Sequence, residues 1–402
     1  MRSTFVAPIC GILFALGCLL SIANASMCPF CDAPSLTLAE EIDQSEHVLL
    51  TKWVGGTDPT DVSGGTAKFE ILEVATSEDA AFEVGQTVEL PQYLAGDKDA
   101  QYLLLGPSIR VLDWQIPREV SEAGWKYLSD LPSPVTSPEA KIERLRYFVK
   151  YLQHSELAIS NDAYGEFASA KYETIKALRD DFPREQLTKW IADPDTPVTR
   201  MGLYGLLLGL CGDDVAAAAM EKKILNPETS FRLGIEGVIS GYLLIKGEDG
   251  LKVLEDKIIK STTWTNSDGE VKKVPFSEVF AVMQALRFMW TYEPEVINKD
   301  RLKQSMHELL ERPELSDLVI ADLARWNDWS KQDRLMAMYD DDNYAIPSVK
   351  RAIVRYLFFA GQQTIADSEE LTNEAKAAVK NLNQLELKDP KTVKMTKRFL
   401  VD

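Results

Sequence analysis

The hydrophobic period of this chain changes near residue 135, and one layer of secondary structure cannot serve both sides of that change. Before it, short apolar runs alternate with turn clusters. "HVLLTKWV" (47–54) is followed by "GGTDPTDVSGG", a loop of Gly, Asp, Pro and Ser. "TAKFEILEVAT" (66–76), "QTVELPQYL" (86–94), "QYLLLGPSI" (101–109) and "VLDWQIP" (111–117) complete five runs. β-branched and aromatic residues at this spacing, with Gly and Pro punctuation, predict an all-β barrel or sandwich. By size, five strands in about 75 residues suit a barrel of the oligomer-binding type. Ahead of them, "TLAE" (37–40) reads as the capping box of one short helix.

"LPSPVTSPEAK" (131–141) carries three prolines and marks the boundary. Ser137-Pro138-Glu139 is a helix start, with a capping residue and proline in the first turn. The period is helical from there. "KIERLRYFVKYL" sets Ile142, Leu145, Phe148, Val149 and Leu152 on one face. Comparable apolar segments centre on Tyr164, Tyr204, Val238, Val282, Ile320 and Ile353, at steps of 33 to 44 residues. Such spacing predicts paired helices stacked as in HEAT-type arrays, with a non-repeating helical bundle as the alternative. The longest step holds "STTWTNSDGEVKKVP", whose Ser-Asp-Gly suggests a hairpin turn. The expected plan is therefore α+β: a leader at 1–25, an acidic β-barrel at 26–135, and a helical-repeat region at 136–387 that ends in a capping helix. A frayed basic tail at 388–402 completes it.

The leader expectation rests on Arg2, the 17-residue apolar run 6–22 and the small residues Ala23, Asn24 and Ala25, which together read as a cleavable secretory signal. A retained anchor is the alternative, with the run at the short edge for a span. Cleavage after Ala25 places the chain in the periplasm or outside the cell. It leaves Cys28, Cys31 and Cys211, enough for one bridge and one free thiol. Residues 26–135 carry 19 acidic against 6 basic side chains. With a formal net charge of −18 and no basic stripe, the chain repels phosphate backbones, so nucleic acid is not an expected partner.

The order of leader, "CPFC", "APSLTLAEEI", "TAKFEILEV", "YLLLG", "LDW", "DAYGEFA", "RMGLYGLLLGLCG" and "LVIADLARWNDWS" resembles exported proteins of planctomycete bacteria over nearly the whole chain after the leader. That resemblance implies export and no particular activity. Residues 28–110 also resemble, remotely, the netrin-module and tissue-inhibitor-of-metalloproteinases barrel, through a cysteine near the start and the strands "HVLLTKWV", "FEILEV" and "YLLLG". In those inhibitors the first cysteine is the N-terminal residue and its free amine meets zinc, whereas here Ser26 and Met27 precede Cys28.

"CPFC" (28–31) admits three readings: a redox centre, a metal clip or a staple. A glutaredoxin-type thiol is activated at a helix N-terminus after a strand. After leader removal only two residues precede Cys28, so no strand can, and a structural Cys28–Cys31 disulfide is the expectation. Structural zinc needs four ligands, and His47, His154 and His307 are scattered, so no metal or other cofactor is expected. Neither G-x-S-x-G nor a phosphate loop is present. "YDDDNY" (339–344) lacks the glycine and closing glutamate of a calcium loop. In "ARWNDWS", Trp326 and Trp329 stand three apart. Helical spacing would set them on one face, as core between repeats or as an anchor for a partner. The resulting expectation is a non-catalytic protein that binds a protein or peptide. Two alternatives stand beside it: a thiol–disulfide oxidoreductase using Cys28 and Cys31, and a protease inhibitor built on the barrel.

Overall fold

The runs 48–50 and 103–105 are apolar without interruption, so a strand made from either has two faces to bury. A computed structural model shows how both are covered. It describes residues 28–31, 36–61, 63–77, 81–106, 114–226, 232–265, 269–366 and 368–400. The expected leader lies outside them.

The N-terminal region folds as an antiparallel sheet of β1 (His47–Thr57), β2 (Thr66–Ser77), β3 (Thr87–Leu90), β4 (Gln101–Gly106) and β5 (Arg118–Glu119). The order is β3-β2-β1-β4-β5, so β3 and β5 are free edges. Closing a barrel would require those edges to pair, and among the described residues they do not. This corrects the barrel expectation, and the reason is the two-faced strands. Val48, Leu50, Leu103 and Leu105 turn to the helices and join the main core. Leu49, Leu104, Phe69, Ile71 and Val88 turn the other way into a small core covered by Trp53, Phe82, Leu94 and Trp114. A barrel offers one apolar interior, whereas here each face has its own cover. The fifth strand also differs from expectation. Residues 114–117 of "VLDWQIP" form no strand, 111–113 lie outside the described residues, and the pairing is made by Arg118 and Glu119.

Sixteen helices are present among the described residues. The first is α1 (Leu38–Asp43), with the capping box of Thr37 and Glu40 formed in both directions. Next come α2 (Glu122–Ser129), α3 (Pro138–Val149), capped by the Ser137 hydroxyl, α4 (Leu157–Ser169), α5 (Tyr172–Ala177) and α6 (Arg184–Ala192). They are followed by α7 (Met201–Cys211), α8 (Asp214–Ile224), α9 (Ile235–Leu254), which is kinked at Gly247, α10 (Phe276–Tyr292) and α11 (Lys299–Leu309). The last are α12 (Ser316–Arg325), α13 (Gln332–Asp340), α14 (Pro347–Ala360), α15 (Asn373–Lys388) and α16 (Pro390–Arg398). The expected hairpin before α10 is an antiparallel pair of 263–265 and 271–273. Residues 388–402, expected as a frayed tail, contribute α16 instead. Asp389 caps it, Pro390 opens it and Val393 is buried against α14 and α15.

Helices adjacent in sequence touch, among them α3 with α4, α6 with α7, α8 with α9, α11 with α12, α13 with α14 and α15 with α16, and non-adjacent ones touch as closely, among them α7 with α9, α12 with α14 and α3 with α5. Of the six centres read from the sequence, Tyr204, Val238, Val282, Ile320 and Ile353 are fully buried, and Tyr164 is half-buried. The tightest junction is α7 on α9. Gly202, Gly205 and Gly209 face Gly234, Gly237 and Gly241, and each triplet repeats the same spacing of three and then four residues. A Cβ on Gly209 would stand 2.3 Å from the Gly241 Cα, and one on Gly241 would stand 2.1 Å from the Gly205 carbonyl oxygen. The backbones therefore touch directly, an approach that only glycine permits.

No helix among the described residues is long and apolar enough to cross a membrane. The main core runs from Cys28 through β1 and β4 to Val393, across the proline-rich segment where the composition changes.

Because the clashes at the α7–α9 seam fall on backbone atoms, neither helix can yield by rotating a side chain. Gly209→Ala and Gly241→Ala should each destabilise the fold by about 1–3 kcal/mol, as overpacked cores do. Gly64→Ala, whose nearest atom would be the Pro91 carbonyl oxygen at 3.8 Å, should stay within about 0.5 kcal/mol. Urea denaturation midpoints of the three variants against the parent check this ordering.

Candidate functional site

Cys28 and Cys31 are joined as a disulfide, with their Cα atoms 5.4 Å apart. The helices fix the position of this loop. Cys28 N–H donates to the Ala168 carbonyl at the end of α4 (3.2 Å). The Phe30 ring packs on Phe288 of α10 at 5.0 Å between centroids. A Cβ on Gly202, at the start of α7, would meet the Phe30 carbonyl oxygen at 2.6 Å, so the loop rests on the open end of the glycine seam. Cys28 is buried and Cys31 half-buried. Cys211, the last residue of α7, is a free thiol, and burial pushes it up to about 11, so it stays protonated and a poor nucleophile at neutral pH.

A second cluster ties the same end of the chain to α4. Asp162 and Glu166 are one helical turn apart. Asp162 accepts a hydrogen bond from the Ala39 N–H (3.1 Å) and from the Tyr127 hydroxyl (2.6 Å). Glu166 accepts from the Thr37 hydroxyl (2.5 Å), and Thr37 in turn caps α1. Arg144 donates to Asp43 at 2.5 Å and to the Pro132 carbonyl, and stands 4.0 Å from Glu166. Asp162 and Tyr127 also line a cavity of about 340 Å³ between the sheet, α2 and α4. Burial raises both carboxyls, Glu166 to about 7 against the hydrogen bond from Thr37 and the charge of Arg144. These two carboxylates were missed in the sequence, where "DAYGE" shows them four apart on a helix that is otherwise apolar on that face.

Trp326 and Trp329 do not share a helix face. α12 ends at Arg325, Trp326 is its C-cap, and Asn327 turns the chain with φ of +52°. Trp326 is buried in a parallel stack on Trp290 of α10, with centroids 4.0 Å apart. Trp329 meets Tyr356 of α14 edge-on at 5.0 Å. The short turn thus joins α10, α12 and α14. Asp328, between the tryptophans, lies 2.6 Å from the His307 Nε2 and accepts from the Ser330 hydroxyl (2.6 Å). Burial would raise it, but hydrogen bonds from His307 and from the Ser330 side chain and backbone outweigh burial and hold it at about 2. The carboxylate stands between serine and imidazole, so the serine donates to aspartate and the group braces the turn. A Ser-His-Asp relay would need the imidazole in the middle.

On the far side of α12, a groove of about 570 Å³ runs between α12 and α14. Ala321, Ala324 and Ala352 leave it open, and Phe359 stands at its end, 39% exposed. Arg325, Arg351 and Arg355 rim it, with Asp317 the one acidic residue in its wall. Arg325 donates to Asp322, which also takes Arg287, so one carboxylate serves two guanidinium groups. Arg351 and Arg355 are exposed and have no carboxylate partner among the described residues. The sequence carried the signal in "SVKRAIVRYLFFAG": Arg351, Arg355 and Phe359 recur every fourth residue, opposite the buried Val349, Ile353 and Leu357. Among the described residues, no group of three or more His, Cys, Asp or Glu side chains is arranged to hold a metal ion. Comparison of the chain with family models, with curated proteins and with solved structures returns no match.

The Glu166 shift carries a signed consequence. The carboxyl takes up its proton near 7 in the fold and near 4.5 in the unfolded chain, so between these values the folded state holds more protons. Its contribution to stability is greatest below 4.5 and is lost as pH rises through 7. Glu166→Gln keeps an acceptor for Thr37 and removes the charge. At pH 7.5 the variant should exceed the parent by on the order of 2 kcal/mol, narrowing toward zero at pH 4.5. Chemical denaturation at both pH values measures the gap, and a gap independent of pH contradicts this reading.

Proposed function

We propose that the chain is an exported, non-catalytic binding protein, in which HEAT-like helix pairs carry a docking groove for a protein or peptide. The groove between α12 and α14 carries this reading. It joins an exposed aromatic ring, small side chains that leave room, and two arginines, Arg351 and Arg355, without a carboxylate partner among the described residues, on a chain of net charge −18. Arginine and aromatic residues concentrate binding energy at protein interfaces. The pairing of adjacent helices supports a repeat array, as do the five fully buried centres spaced 33 to 44 residues apart. Support for export comes from the composition of residues 1–25. In this reading the Cys28–Cys31 bridge is a staple, holding the start of the chain on the helices.

The test uses the chain as recovered from the producing cells, tagged at its C-terminus. Its N-terminus should map to Ser26, and it should retain a defined envelope protein in stoichiometric amount after washing. A chain that begins at Met1, or that retains nothing beyond an unrelated acidic protein, would overturn the reading.

A further inference from the structure

We infer that the groove between α12 and α14 takes an acidic linear peptide, one that pairs carboxylates with an aliphatic or aromatic anchor. The inference rests on the docking reading above and adds the chemistry of the partner.

Charge complementarity decides the sign. Three arginines against one aspartate line this groove, within a chain whose acidic residues outnumber its basic ones by 62 to 44. A guanidinium that already has an internal carboxylate gains little from a ligand. Among the described residues Arg351 and Arg355 have none; they stand one helical turn apart and present planar donor sets suited to paired carboxylates.

Shape decides the ligand's form. The lining residues of α12 span from Asp317 to Arg325, about two helical turns, and those of α14 from Ser348 to Phe359, about three. Such a length holds a short helical or extended segment. The apolar atoms line a depression floored by alanines and closed at one end by Phe359. An anchor side chain entering beside Phe359 would remove apolar surface from water. Carboxylates three or four residues before or after the anchor would meet Arg351 and Arg355.

The test is selection of a random twelve-residue peptide display library on the full tagged chain, with the variant Arg351→Glu/Arg355→Glu as the counter-target. Both arginines are exposed, so the variant should keep the parent's melting temperature. Selected peptides should be rich in Asp and Glu, with Leu, Ile or Phe spaced three or four residues from them. A synthetic peptide of the consensus should bind the variant at least tenfold more weakly than the parent, and more weakly at 0.5 M than at 0.1 M salt. Neutral or basic consensus sequences, or acidic ones that bind the variant equally well, overturn the inference. So does arginine-dependent binding to anionic lipid vesicles with no peptide selected. If the variant still retains the envelope partner, the acidic-peptide proposal falls while the binding-protein reading stands.

Discussion

The contact on which the architecture depends is the glycine seam between α7 and α9. Side chains normally hold packed helices 8–10 Å apart. Here six glycines remove the spacer, and backbone meets backbone. The neighbouring elements follow from that approach. α9 also packs on α10, and Tyr242 and Leu243 of α9 and Val279 and Met283 of α10 are all buried. The open end of the seam, at Gly202, is where the Phe30 backbone comes to rest. The Cys28–Cys31 loop is thus placed by helices far along the chain, and its ring contact with Phe288 extends the joint to α10.

Buried charge closes the other joints. Helix ends leave carbonyl oxygens without partners, and burying them bare is costly. Arg200 donates to the Leu152 carbonyl at 2.6 Å, ahead of α4. Arg232 donates to Ile224 at the end of α8 while pairing with the buried Glu278 on α10. Arg312 covers Ile258 and Ile259 at the end of the π-helical turn that follows α9. Each guanidinium satisfies carbonyls at a helix end or in the turn beyond it and ties them to a later element. Removing Arg232 would take a donor from the Ile224 carbonyl and from the buried Glu278 carboxylate together, so this position acts as a latch. The α4 carboxylates do the same for α1 with the signs reversed, accepting from the Ala39 N–H and the Thr37 hydroxyl.

Local signals were legible in the sequence where the chemistry was local. The capping box at Thr37, the proline start at Pro138, the hairpin before α10 and the buried centres from Tyr204 to Ile353 all depend on a few adjacent residues. Sheet closure was not legible, because it depends on what covers the second face of "VLL" and "LLL", and the cover comes from Phe82, Leu94 and Trp114 in the loops. The face shared by Trp326 and Trp329 assumed a helix that continues, and the turn at Asn327 ends it first. The basic tail at 388–402 read as frayed, yet Val393 and Thr396 give it a buried anchor. The groove on α12 and α14 was readable only in part. The four-residue spacing of Arg351, Arg355 and Phe359 lies in the sequence, but the alanines that open the space come from two helices.

The central physical claim is that sheet and helices share one core, although the composition changes near residue 135. Hydrogen exchange at rising urea concentration, read by mass spectrometry on peptides covering β1, β4, α7 and α9, tests it directly. A shared core, with Val48 and Leu105 packed among the helices and α1 held by α4, predicts that protection in all four is lost at one urea concentration. Loss from β1 and β4 at a clearly lower concentration, with α7 and α9 still protected, would show two separately folding units and contradict it.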